Sequence, residues 1–298
     1  MCNINALFIK NKTTNITPFV MAISSNSFAS NSDGEGIYIN SNNSIYKSEN
    51  KMNLFKYEND IEKSNLIISH QRLSTSGFEL EYNHPFANDN FVLVHNGVIN
   101  QFKGDIGSDT YGFWIEFNNE FNKITSHLSR EDRIKKVVKK LFEKNLGSYS
   151  ILIYDKKTKQ SFYFKGDDYP NIYFYQSNDF LFITTNGHNH LFLPMLTSDE
   201  FDTLEIENRT LYKIDKNFIC YKIADLPKEE IKEIIEEEIN ETQSKISDSY
   251  NQYRQLSLNG KTNTYCDMCG LTIQGEVYST SESKLCGNCW SFQTEEEI

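Results

Sequence analysis

Phe91-Val92-Leu93-Val94-His95-Asn96-Gly97-Val98-Ile99-Asn100 is an apolar run that stops at an imidazole, an amide and a glycine. Four consecutive apolar residues bounded by such punctuation read as a buried strand, and Asn-Gly by itself reads as a hairpin turn. Similar runs lie on either side: Leu66-Ile67-Ile68 before it, and Ser150-Ile151-Leu152-Ile153-Tyr154, Ser161-Phe162-Tyr163-Phe164, Ile172-Tyr173-Phe174-Tyr175 and Phe180-Leu181-Phe182-Ile183 after it. Gly166-Asp167-Asp168, Ser177-Asn178-Asp179 and Asn186-Gly187 separate the later runs as turns. The spacing of the last four predicts an antiparallel meander. Two helices are expected between the strands. Over 130–144, Ile134, Val137, Val138, Leu141 and Phe142 fall on one amphipathic face, with Ser129 as N-cap and Glu131 and Asp132 in the first turn. The second, over 109–118, is weaker and has Ser108 as its cap.

Composition bounds the class. The chain has 298 residues, 24% of them charged and 13% aromatic, with a formal net charge of -11. That aromatic content excludes a wholly disordered chain, and 14 Gly with 5 Pro exclude a collagen-like one. The acidic balance weighs against nucleic-acid binding and anionic membranes. No apolar run approaches the roughly 18 residues of a membrane helix. Met1-Cys2-Asn3-Ile4-Asn5 lacks the basic start of a secretory signal, and Ala6 to Ile9 is too short for its apolar stretch. The expected location is cytoplasmic, with reduced thiols.

Cys2 directly follows the initiator methionine. Removal of Met1 would leave a residue carrying both a thiol and a free α-amine. A thiol must lose its proton to attack, and an α-amine with a reference pKa of about 8 can accept it. A second-position cysteine alone says little.

The rest of the chain adds to it. Ile68-Ser69-His70-Gln71-Arg72-Leu73-Ser74-Thr75-Ser76-Gly77 is followed by Asn83-His84-Pro85-Phe86 and by the His95-Asn96-Gly97 segment. Then come Gly107-Ser108-Asp109-Thr110, Leu146-Gly147-Ser148-Tyr149-Ser150 and Phe182-Ile183-Thr184-Thr185-Asn186. In this order and spacing, over residues 2 to about 220, the series resembles the class II glutamine amidotransferases. That family's pattern runs Met-Cys-Gly-Ile, His-x-Arg, Thr-x-Gly, His-Pro, Val-His-Asn-Gly, Ser-Asp-Thr and Gly-x-Tyr/Trp.

The resemblance implies an α+β fold: a four-layer αββα sandwich of the N-terminal-nucleophile hydrolase type. It implies that Cys2 attacks the carboxamide of L-glutamine, releasing ammonia and then glutamate through a thioester. Asn96 and Gly97 would hold the oxyanion, with an amide N–H and a backbone N–H as donors. Arg72 would fork onto the substrate α-carboxylate, and Asp109 would pair with the α-ammonium. Thr75 and Gly77 would line the glutamine site. His70, His84 and His95 read as framework donors holding loops, with His84 also facing the substrate. No cofactor is needed for this chemistry. His188 and His190 follow a strand end and could pair on one face, with a surface loop as the plainer reading. Plainer alternatives also stand beside the other roles: a surface ion pair for Arg72, a helix N-terminal position for Asp109 and a hairpin turn for Asn96-Gly97. The chain departs from the pattern at Asn3, where the family has Gly, and at Leu73, where Tyr or Trp is common.

After Pro227 the character changes. Residues 228–256 hold 4 Lys/Arg against 8 Asp/Glu, with an irregular isoleucine and tyrosine stripe that predicts an acidic helix. Cys266-x2-Cys269-x16-Cys286-x2-Cys289 then matches the spacing of a closed, structural four-thiolate zinc site, a redox dithiol being the alternative. The expected organisation is a glutaminase domain over 2–224, an acidic helical linker over 225–258 and a small zinc ribbon over 259–298. No synthetase loop of the Ser-Gly-Gly-x-Asp-Ser type and no P-loop lysine appears. The ammonia acceptor is therefore expected on a separate synthetase or transferase protein, docked by the tail. Two other readings remain: an N-terminal-cysteine amidase of another substrate, or a catalytically degenerate scaffold of the same fold used for binding or regulation.

Overall fold

Strand β1 (Asn3–Ile9) is buried along its whole length, and its side chains divide between two cores. Ile4, Ala6 and Phe8 enter one cluster, and Leu7 and Ile9 another. Successive side chains of a strand point to opposite faces, so a strand covered on both faces reads as a continuous apolar run. The structure, a computed structural model, describes residues 2–12, 14–74, 79–102, 107–124, 127–144, 147–166, 171–226, 278–279 and 284–285. The chain divides into two compact units, Met1–Lys228 and Glu229–Ile298.

In the first unit β1 lies in a seven-stranded sheet with α1 (Thr17–Ser30) and α2 (Glu58–Lys63) contributing to the core on one face. The sheet order is β11 (Asp202–Leu204), β9 (Tyr173–Gln176), β10 (Phe180–Thr184), β1, β4 (Leu66–Arg72), β2 (Gly34–Ile39) and β3 (Ser44–Ser48). A second sheet has six strands in the order β13 (Cys220–Asp225), β12 (Thr210–Ile214), β8 (Gln160–Lys165), β7 (Tyr149–Asp155), β6 (Phe91–Gly97) and β5 (Phe86–Ala87). Every pairing in both sheets is antiparallel. Val92, Val94, Leu152, Tyr154 and Tyr163 of the second sheet meet Ile4, Phe8, Ile68 and Ile183 of the first in a shared core. Its other face, with Leu93, Ile151, Ile153 and Phe164, is covered by α3 (Asp109–Lys123) and α4 (Arg130–Lys144).

The expected helix over 130–144 is α4. Its five periodic apolar residues are buried, and Ser129 Oγ accepts from Asp132 N at 3.1 Å. The 109–118 helix forms and runs further, to Lys123, because Phe117 and Phe121 extend its buried face. Ser108 caps it, accepting from Tyr111 N at 3.1 Å.

The meander needs correction. Its four runs form two hairpins in different sheets: β7 pairs with β8 in one, and β9 with β10 in the other. Runs this rich in apolar and aromatic residues carry no local mark of which sheet they belong to.

Helix α1 carries no clear sequence signal. Its inward positions Phe19, Val20 and Ile23 keep helical spacing but continue as Ser24 and Ser27, so the apolar stripe fades halfway. The serines face a buried polar network instead. Ser24 Oγ donates to Glu35, and Asn5 Nδ2 donates to Ser27 Oγ at 3.2 Å and to Gln71 Oε1 at 2.9 Å.

In the second unit β14 (Tyr278–Ser279) pairs with β15 (Lys284–Leu285). The zinc expectation is corrected. Among the described residues no group of three or more His, Cys, Asp or Glu is placed to hold a metal ion. Cys266, Cys269, Cys286 and Cys289 lie outside the described residues, as does nearly all of the expected acidic helix, and the described residues supply no zinc site. Among the described residues no helix is long and apolar enough to cross a membrane.

Candidate active site

Antiparallel register brings the first two site residues together. Asn3 on β1 faces Gln71 on β4, so one step further Cys2 and Arg72 lie side by side at the sheet end. Asn96 and Gly97 close β6, and Asp109 opens α3. All five line a single cleft, together with Leu73, His84, His95, Val98, Ser108 and Thr110. Thr75 and Gly77 lie outside the described residues.

Cys2 is half-buried, and its thiol donates to the Leu73 carbonyl at 3.6 Å. Burial pushes the thiol above its ordinary pKa, against the pull of the Arg72 cation. Arg72 is buried, and its Nη1 donates to Asn83 Oδ1 at 3.3 Å, while Asn83 Nδ2 donates to Ser48 O at 3.0 Å. Asn83 thus positions one edge of the guanidinium. The sequence motif contained Asn83 without marking this role. Arg72 is not a surface ion pair.

Asn96-Gly97 is not a hairpin turn. Both residues pair with β7, Asn96 with Ser150 and Gly97 with Tyr149. Gly97 has φ +123°, and a Cβ there would stand 2.1 Å from Ser148 O. Only glycine fits this approach. The Asn96 side chain is buried, and its Oδ1 has no hydrogen-bond partner.

Asp109 has a local role whatever else it does. Its Oδ2 accepts from Ile99 N at 2.8 Å, and its Oδ1 accepts from Thr110 N at 2.7 Å. It therefore ties the segment after β6 to the start of α3. Thr110 Oγ1 lies 2.7 Å from His95 Nδ1, a contact that places Thr110 in the site although sequence reasoning gave it no part.

The three histidines form one buried cluster. His70 Nε2 donates to His95 O at 3.0 Å, and His95 N donates to His84 Nδ1 at 3.5 Å. The His70 and His84 ring centres are 4.0 Å apart. Burial holds His70 down to about 3, drives His84 well below its usual range, and lowers His95. All three are neutral near pH 7. A neutral group whose folded pKa lies below its unfolded value of about 6.5 gives stability that is complete above 6.5 and lost as pH falls toward the folded value. Each such imidazole is expected to withdraw about 1.4 kcal/mol per pH unit in that window. Thermal melts from pH 7.5 to 5 should show a steep fall that His70→Gln makes shallower. Equal slopes in both proteins would disprove the assignment. His188 and His190 do not pair: His190 Nδ1 contacts Gly187 O within its own turn, and His188 is exposed.

Asn3, where the family pattern has glycine, turns away from the cleft. Its Nδ2 donates to Ser27 O at 3.3 Å and Ser30 Oγ at 3.5 Å, near the end of α1. The side chain anchors β1 on α1 and does not occupy the space beside Cys2 needed by a substrate in the Arg72 cleft.

No family model matches the chain. The glutamine–fructose-6-phosphate aminotransferase (isomerizing) of Helicobacter pylori strain J99 is 27% identical in an alignment of 154 positions that covers 47% of this chain and 25% of that protein. Among solved structures, glutamine phosphoribosylpyrophosphate amidotransferase from B. subtilis, complexed with ADP and GMP, matches with a TM-score of 0.54 at 16% identity, over 74% of this chain and 49% of that one. A structure described as the allosteric regulatory enzyme of purine biosynthesis matches with a TM-score of 0.52 at 15% identity, over 74% of this chain and 48% of that one. The chain therefore spans a quarter to a half of the length of these relatives. Its fold is a mixed α/β sandwich of the class II glutamine-amidotransferase type, related to the N-terminal-nucleophile hydrolases.

Proposed function

We propose that this chain is the glutaminase part of a class II glutamine amidotransferase, hydrolysing L-glutamine to L-glutamate and ammonia through a thioester on Cys2. One observation carries the reading: a thiol, a guanidinium, an amide and a carboxylate, drawn from four separate segments of the chain, line the same cleft. The three hydrophobic clusters between and outside the sheets support a four-layer αββα arrangement, which would present Cys2 at the end of a central strand.

The chemistry follows from the groups. With Met1 removed, the α-amine of Cys2 takes the thiol proton, which burial otherwise holds on sulfur. The thiolate attacks the carboxamide carbon, and the carbonyl oxygen takes up negative charge between the Asn96 amide and the Gly97 N–H. The C–N bond breaks as the α-ammonium returns its proton to nitrogen, releasing ammonia. Water then adds to the thioester with the amine as base, and the C–S bond breaks to give glutamate. Arg72 and Asp109 hold the substrate's α-carboxylate and α-ammonium throughout.

Arg72→Lys keeps the charge but loses the planar fork, and is expected to raise the KM for glutamine by about 10- to 100-fold with a smaller change in kcat. Asp109→Asn should act in the same direction. Steady-state glutamate release checks both. Unchanged kinetics in both variants would remove glutamine from this cleft. Ammonia delivery to an acceptor held by a synthetase or transferase protein is the further part of the proposal, motivated by the likeness to the amidotransferases above. Transfer of label from amide-labelled glutamine into a product of a copurifying protein tests it; label found only in free ammonium would refute it.

A further inference from the structure

Two cavities meet at Cys2. One is the Arg72–Asp109 cleft. The other, of about 520 Å³, shares Cys2 and Asn96 with it and continues beside the end of α1 and the segment following β10. Its described lining residues include no Asp, Glu, Lys or Arg, and asparagines are the commonest among them. Such walls suit an uncharged group that makes hydrogen bonds.

Two of those asparagines carry buried acceptors without partners, Asn31 Oδ1 and Asn96 Oδ1. Asn31 is 2% exposed and Asn96 3%. The assignment at Asn31 follows from its neighbours. Its Nδ2 donates to Ser27 O at 3.3 Å and to Ser30 Oγ at 3.1 Å, which leaves its oxygen as the free atom. An unmet buried acceptor costs about 1–3 kcal/mol. Ammonia is about the size of a water molecule, whose share of liquid volume is about 30 Å³, and would fill little of this space.

We propose that this second cavity holds the amine half of the substrate, so that the chain cleaves γ-glutamyl amides whose nitrogen bears a small, uncharged, hydroxyl- or amide-carrying substituent. The inference rests on the glutamine-site reading for the other half. The Arg72–Asp109 cleft takes the γ-glutamyl amino acid, the scissile carbonyl lies at Cys2 between the two cavities, and the substituent enters the larger one. The Cys2 thiolate attacks the γ-carbonyl carbon. The C–N bond breaks, and the nitrogen leaves as a primary amine carrying the proton that the α-amine took from the thiol. Water then hydrolyses the thioester to glutamate as before.

The test compares L-glutamine with N5-(2-hydroxyethyl)-L-glutamine, using the full chain with Met1 removed and measuring glutamate release. The substituted amide is expected to have kcat/KM at least equal to that of glutamine. Ala29→Trp fills the second cavity from α1 and lies outside the Arg72 cleft. It should lower kcat/KM for the substituted amide about tenfold or more. Glutamine should stay within about twofold. Asn31→Ala, which removes one free acceptor without adding bulk, should show the same selectivity if the tryptophan variant fails to fold. If glutamine is hydrolysed and the substituted amide is not, the inference is overturned while the glutamine-site reading stands. If neither amide is hydrolysed, both readings fall. Equal losses on both substrates in the cavity variants would also overturn it.

Discussion

Glutamine hydrolysis by the Cys2→Ala protein is expected to fall by about 10⁴-fold or more. Among the described residues only Cys2 and Cys220 are free cysteines, and burial pushes the Cys220 thiol up to about 12. Cys220 sits in the edge strand β13 and does not line the cleft, so it cannot substitute as nucleophile. The fold should tolerate the change. Cys2 precedes β1, is half-buried, and makes one long hydrogen bond through sulfur. A melting temperature close to that of the parent, together with lost glutamate release, is therefore the expected pair of results. Intact mass of the parent protein belongs to the same experiment, because the α-amine acts as base only if the mature chain begins at Cys2. An active protein that retains Met1 would disprove that role for the amine, and glutamine turnover by Cys2→Ala would disprove the nucleophile.

Asn96→Ala should separate catalysis from stability. Loss of one oxyanion donor typically lowers kcat by about 10²- to 10³-fold, with KM little changed because the donor acts on charge that develops only in the transition state. Stability should hardly suffer. The Asn96 Oδ1 is buried without a partner, and removing it relieves a desolvation cost of about 1–3 kcal/mol that offsets the lost packing. A merely structural asparagine would behave in the opposite way, with a lower melting temperature and preserved turnover. Rate and thermal melting measured on the same preparation distinguish the two.

Much of this site is legible in the sequence alone. Cys2, Arg72, Asn96, Gly97 and Asp109 stand in an ordered series whose side-chain chemistry matches the groups an amide hydrolysis requires, and all five line one cleft. Six of the strands, β4 and β6 to β10, are legible too, since each contains a short run of apolar or aromatic residues; β1 is not, because its buried start holds Asn3 and Asn5. Helix α4 showed itself because one of its faces is solvated and the other is not.

Other features depended on contacts between distant segments. A run such as Tyr173–Gln176 carries nothing that assigns it to one sheet over the other; antiparallel pairing with Phe180–Thr184, which itself pairs with β1, made that choice. Helix α1 was hidden because its second half buries serines, which become favourable only once Asn5, Gln71 and Glu35 arrive from β1, β4 and β2 to bond in that region. The same holds for Asn3, whose amide is harmless to the cleft only because the end of α1 offers it acceptors. The neutral state of the histidine cluster likewise follows from burial by neighbours remote in sequence. Residue type and order determined which chemical groups this protein brings to its site. Long-range packing alone decided which of them are desolvated, which way they face and that Cys2 stands between two cavities, because desolvation and orientation are properties of surroundings that no local stretch of chain contains.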